Sequence, residues 1–364
     1  MLSSDPGRSS ERRPLALVAG ASGWLGTRLV SVLLGESEDP TLRSLVEPRR
    51  VRCLLPPGAE FALAASPFVE VVRGDLRDPA TSARFCDGAR GATLFHLAGV
   101  IHPQRAREFW DVNVVGTENL LGAAARAGAR RAIVTSSNSP FGCNRSPREL
   151  FDETTPYRPF RGYGRSKMAA EQKAFDYHRS GRLETTVIRP PWFYGSPQPA
   201  RQTTFFSLIQ RGRWPLVGDG RNLRSMVYLD NLCQGLLLAE QAAAAGQAYW
   251  IADSRPYAMS EVVTTVTTLL EREFGIHCAK PRLKLPRFAA SIAGFVDVSL
   301  QALGLYHPAV HVFSELDKTI ACSVDKARRE LGYRPTVDLE EGMRRSLGWC
   351  LDNGLLGKRP RGRA

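Results

Sequence analysis

No C-x-x-C pair occurs in the sequence, and its seven cysteines (Cys53, Cys86, Cys143, Cys233, Cys278, Cys322 and Cys350) are scattered and odd in number. That pattern argues against a zinc cage or a disulfide scaffold, so no metal is expected and reduced cytoplasmic thiols are the simple reading. Any run of about 18 uncharged apolar residues is also missing, which argues against an integral membrane segment. Residues 1–13 lack an apolar signal core ahead of Arg8, Arg12 and Arg13 and read as a polar leader rather than a secretion signal. There is no internal repeat and no lysine block. The net charge of +13, from 49 basic and 36 acidic residues, comes mostly from arginines spread along the chain. Nucleic acid is therefore not an expected partner, whereas an anionic small molecule is. The basic stretch 353–364 reads as a solvated tail.

What is present suits one large domain with a smaller lobe: 364 residues, 43% hydrophobic and 23% charged. Short apolar runs predict strands at 15–19, 51–55, 69–72, 92–97, 132–135 and 185–188. Helical spacing predicts helices at 24–34, 111–127 and 163–178. Strands alternating with helices imply βαβ units and a parallel sheet covered on both faces. After Pro190 glycine, proline and aromatics cluster, followed by a predicted strand at 227–229, a helix at 231–245 and a mainly helical remainder. The expected organisation is a dinucleotide-binding domain over 14–190 and a substrate lobe over 191–352, with strand 227–229 the candidate to rejoin the sheet.

Between the first strand and helix runs Gly20-Ala21-Ser22-Gly23-Trp24-Leu25-Gly26. Gly20 makes the tight turn, Gly23 lets a pyrophosphate approach the helix N-terminus, and Gly26 lets the helix lie close to the sheet. Ser22, Trp24 and Leu25 belong to the same candidate cofactor site. At the tip of the second strand, Leu54-Leu55-Pro56, neither an acidic nor a basic residue stands. Arg52 points elsewhere by strand alternation. NAD is slightly favoured over NADP on this ground. Asp75, before Leu76, is either an adenine contact or a turn former.

The catalytic candidates are Tyr163, Lys167, Ser137 and Asn113. Tyr163 and Lys167 share a helix face at i and i+4. A phenol titrates near 10 and an ammonium one turn away favours its phenolate, so the pair suits proton exchange with an alcohol during hydride transfer. Ser137, at a strand's carboxyl end, can hydrogen-bond the same substrate oxygen. Asn113, on an apolar helix face, needs a partner and either bridges backbone to active-site water or satisfies a local kink.

The ordered set of the glycine motif, Gly74-Asp75-Leu76, His96-Leu97-Ala98-Gly99, Asn113, Ser136-Ser137, Tyr163/Lys167 and Arg189-Pro190-Pro191-Trp192-Phe193-Tyr194-Gly195 resembles an extended short-chain dehydrogenase/reductase of the NAD-dependent epimerase/dehydratase superfamily, over residues 15–350. The resemblance implies a Rossmann-type doubly wound parallel sheet with a smaller, mainly helical C-terminal lobe. It implies Tyr163 as acid/base, Lys167 as its tuner and ribose contact, and Ser137 as the group orienting the substrate oxygen. Leu97, Ala98 and Gly99 become the cofactor wall, and Pro190 the nicotinamide lining. It also implies a homodimer through helices 111–127 and 163–178. Ser139-Pro140-Phe141-Gly142 departs from the family's usual Val-Tyr-Gly.

For the substrate, the resemblance puts Arg224 at the position that binds the diphosphate of nucleotide sugars, with Arg201, Arg211 and Arg221 adding positive field. A nucleotide-diphosphate sugar is the first expectation. An apolar ketone or hydroxysteroid-like substrate is the second, suggested by the apolar stretch 288–306, and a non-catalytic redox sensor is the third. Asp230 is expected to cap the helix that follows it. His307 and His311 lack a third ligand and read as structural.

Overall fold

The computed structural model describes residues 14–146, 148–280, 284–285, 295–296 and 313–356. The leader 1–13, nearly all of the apolar stretch 288–306, the two histidines and the tail from 357 lie outside the described residues.

Strands β1 (Leu15–Ala19), β2 (Arg50–Leu55), β3 (Val69–Arg73), β4 (Thr93–His96), β5 (Arg131–Thr135), β6 (Glu184–Arg189) and a later β11 (Ala248–Trp250) form one parallel sheet, ordered β3-β2-β1-β4-β5-β6-β11. Side-chain alternation explains why it is covered twice. Ala16 and Val18 of β1 face one core with Val51, Cys53, Phe95, Ile133 and Ile188. Leu17 and Ala19 face the other, with Leu54, Leu94, Ala132, Val134 and Val187. Burial of each such branched side chain contributes roughly 1.5–3 kcal/mol.

Helices α1 (Trp24–Leu33) and α2 (Pro40–Leu45) cover the first face. Helices α3 (Pro79–Cys86), α4 (Gly116–Arg126) and α5 (Arg161–Arg179) cover the second. The sequence reading passed over α2 and α3, although Asp39-Pro40 and Asp78-Pro79 start both. Each aspartate caps its helix, Asp39 accepting from Thr41 N at 2.8 Å and Asp78 from Ala80 N at 3.0 Å, and each proline sits where no N–H is needed.

The helix expected over 111–127 is present and begins earlier, at Glu108, running unbroken to Arg126. Within it Asp111–Val115 widens to a π turn, in which Gly116 N reaches Asp111 O. The extra residue directs Asn113 inward, a device found often at functional sites.

The lobe begins with β7 (Trp192–Tyr194), α6 (Ala200–Gln210), β8 (Leu216–Val217), β9 (Leu223–Arg224) and β10 (Met226–Tyr228). Here one expectation is corrected: β10 does not rejoin the main sheet but pairs in parallel with β7, Val227 opposite Phe193. Met226 and Tyr228 are buried in the lobe core while Val227 faces a sheet core, so β10 is held at the seam. Helix α7 (Leu229–Gln241) then packs beside α1 and α2, and β11 adds to the sheet edge, Tyr249 opposite Ile188. Residues beyond 190 thus complete the sheet domain. A short β12 (Tyr257–Ala258), α8 (Met259–Thr268), β13 (Lys284–Leu285), α9 (Asp325–Leu331) and α10 (Leu339–Asp352) follow. Phe205, Phe206, Met226, Val262, Leu270, Met343 and Leu347 form the lobe core. Among the described residues, no helix is long and apolar enough to cross a membrane.

Candidate active site

The strand order reverses between β1 and β4, which opens a crevice at their carboxyl ends. Gly20 stands there at φ +87°, and a Cβ on it would meet Ala98 N at 2.7 Å. A Cβ on Gly26 would lie 2.0 Å from Gly20 O, so helix and turn touch only because residue 26 is glycine. Gly23 is the N-cap of α1, and no side chain caps that end. The backbone N–H groups of the first turn, at Trp24, Leu25 and Gly26, have no intrahelical acceptor. A glycine cradle ending at an uncapped helix fits a dinucleotide pyrophosphate, with Ser22 in the turn itself.

Leu97 N donates to Ala19 O at 2.9 Å and brings Leu97-Ala98-Gly99 against this turn. A Cβ on Gly99 would lie 3.2 Å from Asn113 Oδ1 and 3.6 Å from Lys167 Nζ. Asn113 is buried and fully engaged: its Oδ1 accepts from Val100 N at 2.8 Å, and its Nδ2 donates to Val100 O at 3.1 Å and Ser166 Oγ at 3.0 Å. Ser166 Oγ in turn donates to Tyr163 O at 2.8 Å. Asn113 therefore ties the loop after β4 to the first turn of α5.

That turn carries Tyr163, and Lys167 follows one turn on. The ring of Tyr163 lies 5.8 Å from Phe109. Burial pushes this phenol up to about 12, while the nearby Ser137 side chain and the charge of Arg201 pull it back. Lys167 is buried, and its Nζ donates to Thr135 O at 2.6 Å. Burial brings the ammonium down to about 8, with Glu171 opposing. Ser137 is held by its own turn, Ser139 N donating to its Oγ at 3.3 Å. Buried His96 is pushed down to about 3 by desolvation, so it is a neutral ring, with Nε2 2.8 Å from Thr117 Oγ1.

Sequence reasoning missed Glu171 and Arg189, a buried pair at 2.8 Å joining α5 to the end of β6 next to Pro190. The signal was there: Glu171 stands one further turn along the face of Tyr163 and Lys167. It also gave Arg201 only a background role.

Other expected contacts lie elsewhere. Asp75 turns its carboxylate to Arg77, accepting from Nε at 2.9 Å and from the backbone N at 2.8 Å. Leu76 packs beside Gly116 on α4. Arg52 points away from the β2 tip, as strand alternation predicts, pairing with Glu70 at 2.8 Å. Arg224 is buried and bonded to the main-chain oxygen of Glu315, its Nη1 3.8 Å from that residue's carboxylate. Asp230 is not a cap: α7 begins one residue earlier, and its carboxylate pairs with Arg28 at 2.6 Å. Among the described residues no group of three His, Cys, Asp or Glu could hold a metal ion.

A seven-stranded Rossmann-type sheet with a tyrosine-lysine helix at its carboxyl edge defines an extended short-chain dehydrogenase/reductase. More narrowly, the chain belongs to the NAD-dependent epimerase/dehydratase family, whose model matches residues 16–252. It is 44% identical over 94% of its length, and 96% of the other's, to the uncharacterized protein y4nL of Sinorhizobium fredii. It is 31% identical, over 90% of this chain and 93% of the other, to the 4-hydroxy-2-methyl-3-oxo-4-farnesyl-3,4-dihydroquinoline-1-oxide ketoreductase of Stigmatella aurantiaca. Among solved structures it resembles DesIV, the dTDP-glucose 4,6-dehydratase of Streptomyces venezuelae crystallised with NAD bound. That match has a TM-score of 0.73 and 26% identity, over 93% of this chain and 97% of the other.

Proposed function

We infer that the protein catalyses hydride and proton exchange at a secondary carbinol or ketone with a nicotinamide dinucleotide. The observation that carries this reading is the meeting of the tyrosine-lysine helix with the cofactor wall at the glycine cradle: a Cβ on Gly20 would meet Ala98 N at 2.7 Å, and one on Gly99 would lie 3.6 Å from Lys167 Nζ. Gly20, Ser22, Gly23, Trp24, Leu25 and Gly26 would hold the pyrophosphate, with Leu97 to Gly99, Pro190 and Lys167 around the nicotinamide riboside. Hydride transfer is the chemistry such a cofactor supplies when bound. Tyr163 Oη gives or takes the carbinol proton, and Ser137 Oγ hydrogen-bonds the substrate oxygen so that this proton lies in line. The Lys167 ammonium, charged below about pH 8, would add to the positive charge of Arg201 in favouring the phenolate. Asn113 positions the turn that carries Tyr163. NAD is favoured over NADP because neither nearby cation is turned to a 2′-phosphate: Arg52 is committed to Glu70, and Arg73, opposite Leu55 at the β2 tip, donates to Ala59 O at 2.8 Å.

For the substrate, a nucleotide-diphosphate sugar is the first reading, supported by the basic charge balance and the likeness to DesIV. An apolar ketone is the second, favoured by the commitment of Arg224 to Glu315 and by the ketoreductase relative. Exposed Trp110 and Val115, at 53% and 39%, support the homodimer face on the segment before and into α4.

The test has two parts. Denaturing the purified protein and weighing any released nucleotide separates a retained cofactor, expected of an epimerase or dehydratase, from an exchanging cosubstrate. Turnover is then assayed on dTDP-glucose, UDP-glucose and a panel of apolar ketones. Tyr163→Phe should lower turnover about 10²–10⁴-fold and leave NAD binding unchanged. Activity untouched by that substitution overturns the mechanism.

A further inference from the structure

Of the lobe arginines available for an anion, Arg224 is sealed against Glu315, and Arg221 leans on Asp219 at 3.8 Å. Arg201 differs from both. It stands in the first turn of α6 and remains exposed, with its guanidinium carbon 5.6 Å from the centroid of the Trp24 ring. Among the described residues no carboxylate pairs with it. Its support is fixed: the Trp24 indole donates to Gly195 O at 3.0 Å, and the ring lies 4.9 Å from Phe193. Arg201 is also the cation whose charge acts on the Tyr163 hydroxyl. The sequence thus sets a guanidinium with no carboxylate partner among the described residues near the Trp24 ring at the glycine turn, where its charge reaches the acid/base residue.

We propose that Arg201, rather than Arg224, receives the anionic oxygens of the substrate, holding a phosphate or diphosphate group within reach of the carbinol at Tyr163. This rests on the reading of Tyr163 as the acid/base group. A guanidinium beside an indole and without a carboxylate partner keeps its N–H edges for a pair of parallel hydrogen bonds, the arrangement phosphate oxygens match. Arg224 lacks that freedom. To bind a ligand it would have to give up its bond to the Glu315 carbonyl. The phosphate could belong to a nucleoside diphosphate or to a non-nucleotide substrate.

The test is calorimetric titration of the NAD-loaded protein with UDP, dTDP and inorganic pyrophosphate as probes. Arg201→Met should weaken binding of whichever probe the wild type takes by at least roughly tenfold, the loss of one charge-assisted hydrogen bond. Arg201→Lys should fall between the two, and Arg224→Met should stay within about twofold of wild type if its role is confined to Glu315. Preference for a nucleoside diphosphate over pyrophosphate identifies a nucleotide substrate, and equal binding identifies the phosphate group alone. NAD stoichiometry, read on every variant, reports an intact fold, and an unfolded Arg224→Met is replaced by Arg224→Lys. An unaltered Arg201→Met, a loss confined to the Arg224 variants, or a wild type that binds none of the three probes overturns the proposal. No turnover is needed, so failure here is distinct from failure of the Tyr163 mechanism, which Tyr163→Phe judges.

Discussion

Glu171 and Arg189 form an ion pair from which solvent is excluded, Arg189 Nη2 standing 2.8 Å from Glu171 Oε2. Tyr157 Oη donates to the same oxygen at 2.7 Å. The guanidinium also stacks on Phe141 at 4.5 Å. Glu171 lies one turn beyond Lys167 and Arg189 immediately before Pro190, so the pair locks the tyrosine-lysine helix to the strand that ends at the cofactor wall. Glu171→Ala strands a buried cation, and the expected loss is about 3–5 kcal/mol by urea unfolding. The double variant Glu171→Leu/Arg189→Met should lose less than the sum of the singles, because it removes both charges. Strict additivity would mean that the two residues stabilise the fold separately.

A second buried carboxylate should make stability depend on pH. Asp253 accepts from Tyr228 N at 2.9 Å, Asn231 Nδ2 at 2.8 Å and Tyr194 Oη at 2.9 Å, with Tyr257 Oη at 3.5 Å. Burial outweighs these donors and raises its pKa from 3.8 to about 7. The folded chain therefore holds this proton more tightly than the unfolded chain. Its contribution is fully present below about pH 4 and is lost as pH rises through about 7. Stability of wild type minus that of Asp253→Asn, measured by urea unfolding, should fall across this window and level off above it. A flat or rising difference would refute the assignment.

Much of this was legible in the sequence, for physical reasons that also mark where legibility ended. Local spacing exposes a turn or a helix face, so Gly20, Gly23 and Gly26, and Tyr163 with Lys167, could be found from the chain alone. The six strands up to Arg189 were legible because a doubly covered sheet needs continuous apolar runs. The seventh, Ala248–Trp250, was not: three residues carry too short a pattern, and only α7 brings them to the β6 edge. Long-range pairing was the other blind spot. Arg224 and Glu315 are 91 residues apart and Arg28 and Asp230 are 202 apart. No periodicity reports such contacts, so a free Arg224 and a capping Asp230 were reasonable expectations that tertiary structure replaced.

Asn113 should matter through position rather than contact with the reacting atoms. Asn113→Ala leaves Val100 N and O and Ser166 Oγ without their partner, at an expected cost of about 1–3 kcal/mol. Asn113→Asp keeps an acceptor for Val100 N but no donor, so its loss of stability should be intermediate. Both should lower kcat more than they raise KM, since the turn bearing Tyr163 loosens while the substrate contacts remain. Equal stability of Ala and Asp variants would show that the donor bonds carry nothing.

Two glycines on helices should respond oppositely to the same added methyl group. A Cβ on Gly348, in α10, would meet only Phe274 Cζ at 4.0 Å, so Gly348→Ala should stabilise by about 0.5–1 kcal/mol through reduced unfolded-state freedom. On Gly26 the methyl would fall 2.0 Å from Gly20 O and 2.8 Å from Ala21 Cα, both backbone atoms that no rotamer change can move. Gly26→Ala must push α1 away from the turn and pull its N-terminal N–H groups off the pyrophosphate position. Thermal unfolding should show a lower midpoint for Gly26→Ala and a higher one for Gly348→Ala, and NAD titration should show binding lost in the first and kept in the second. Retained NAD affinity in Gly26→Ala would mean that the close approach of helix and turn is not what forms the cofactor cradle.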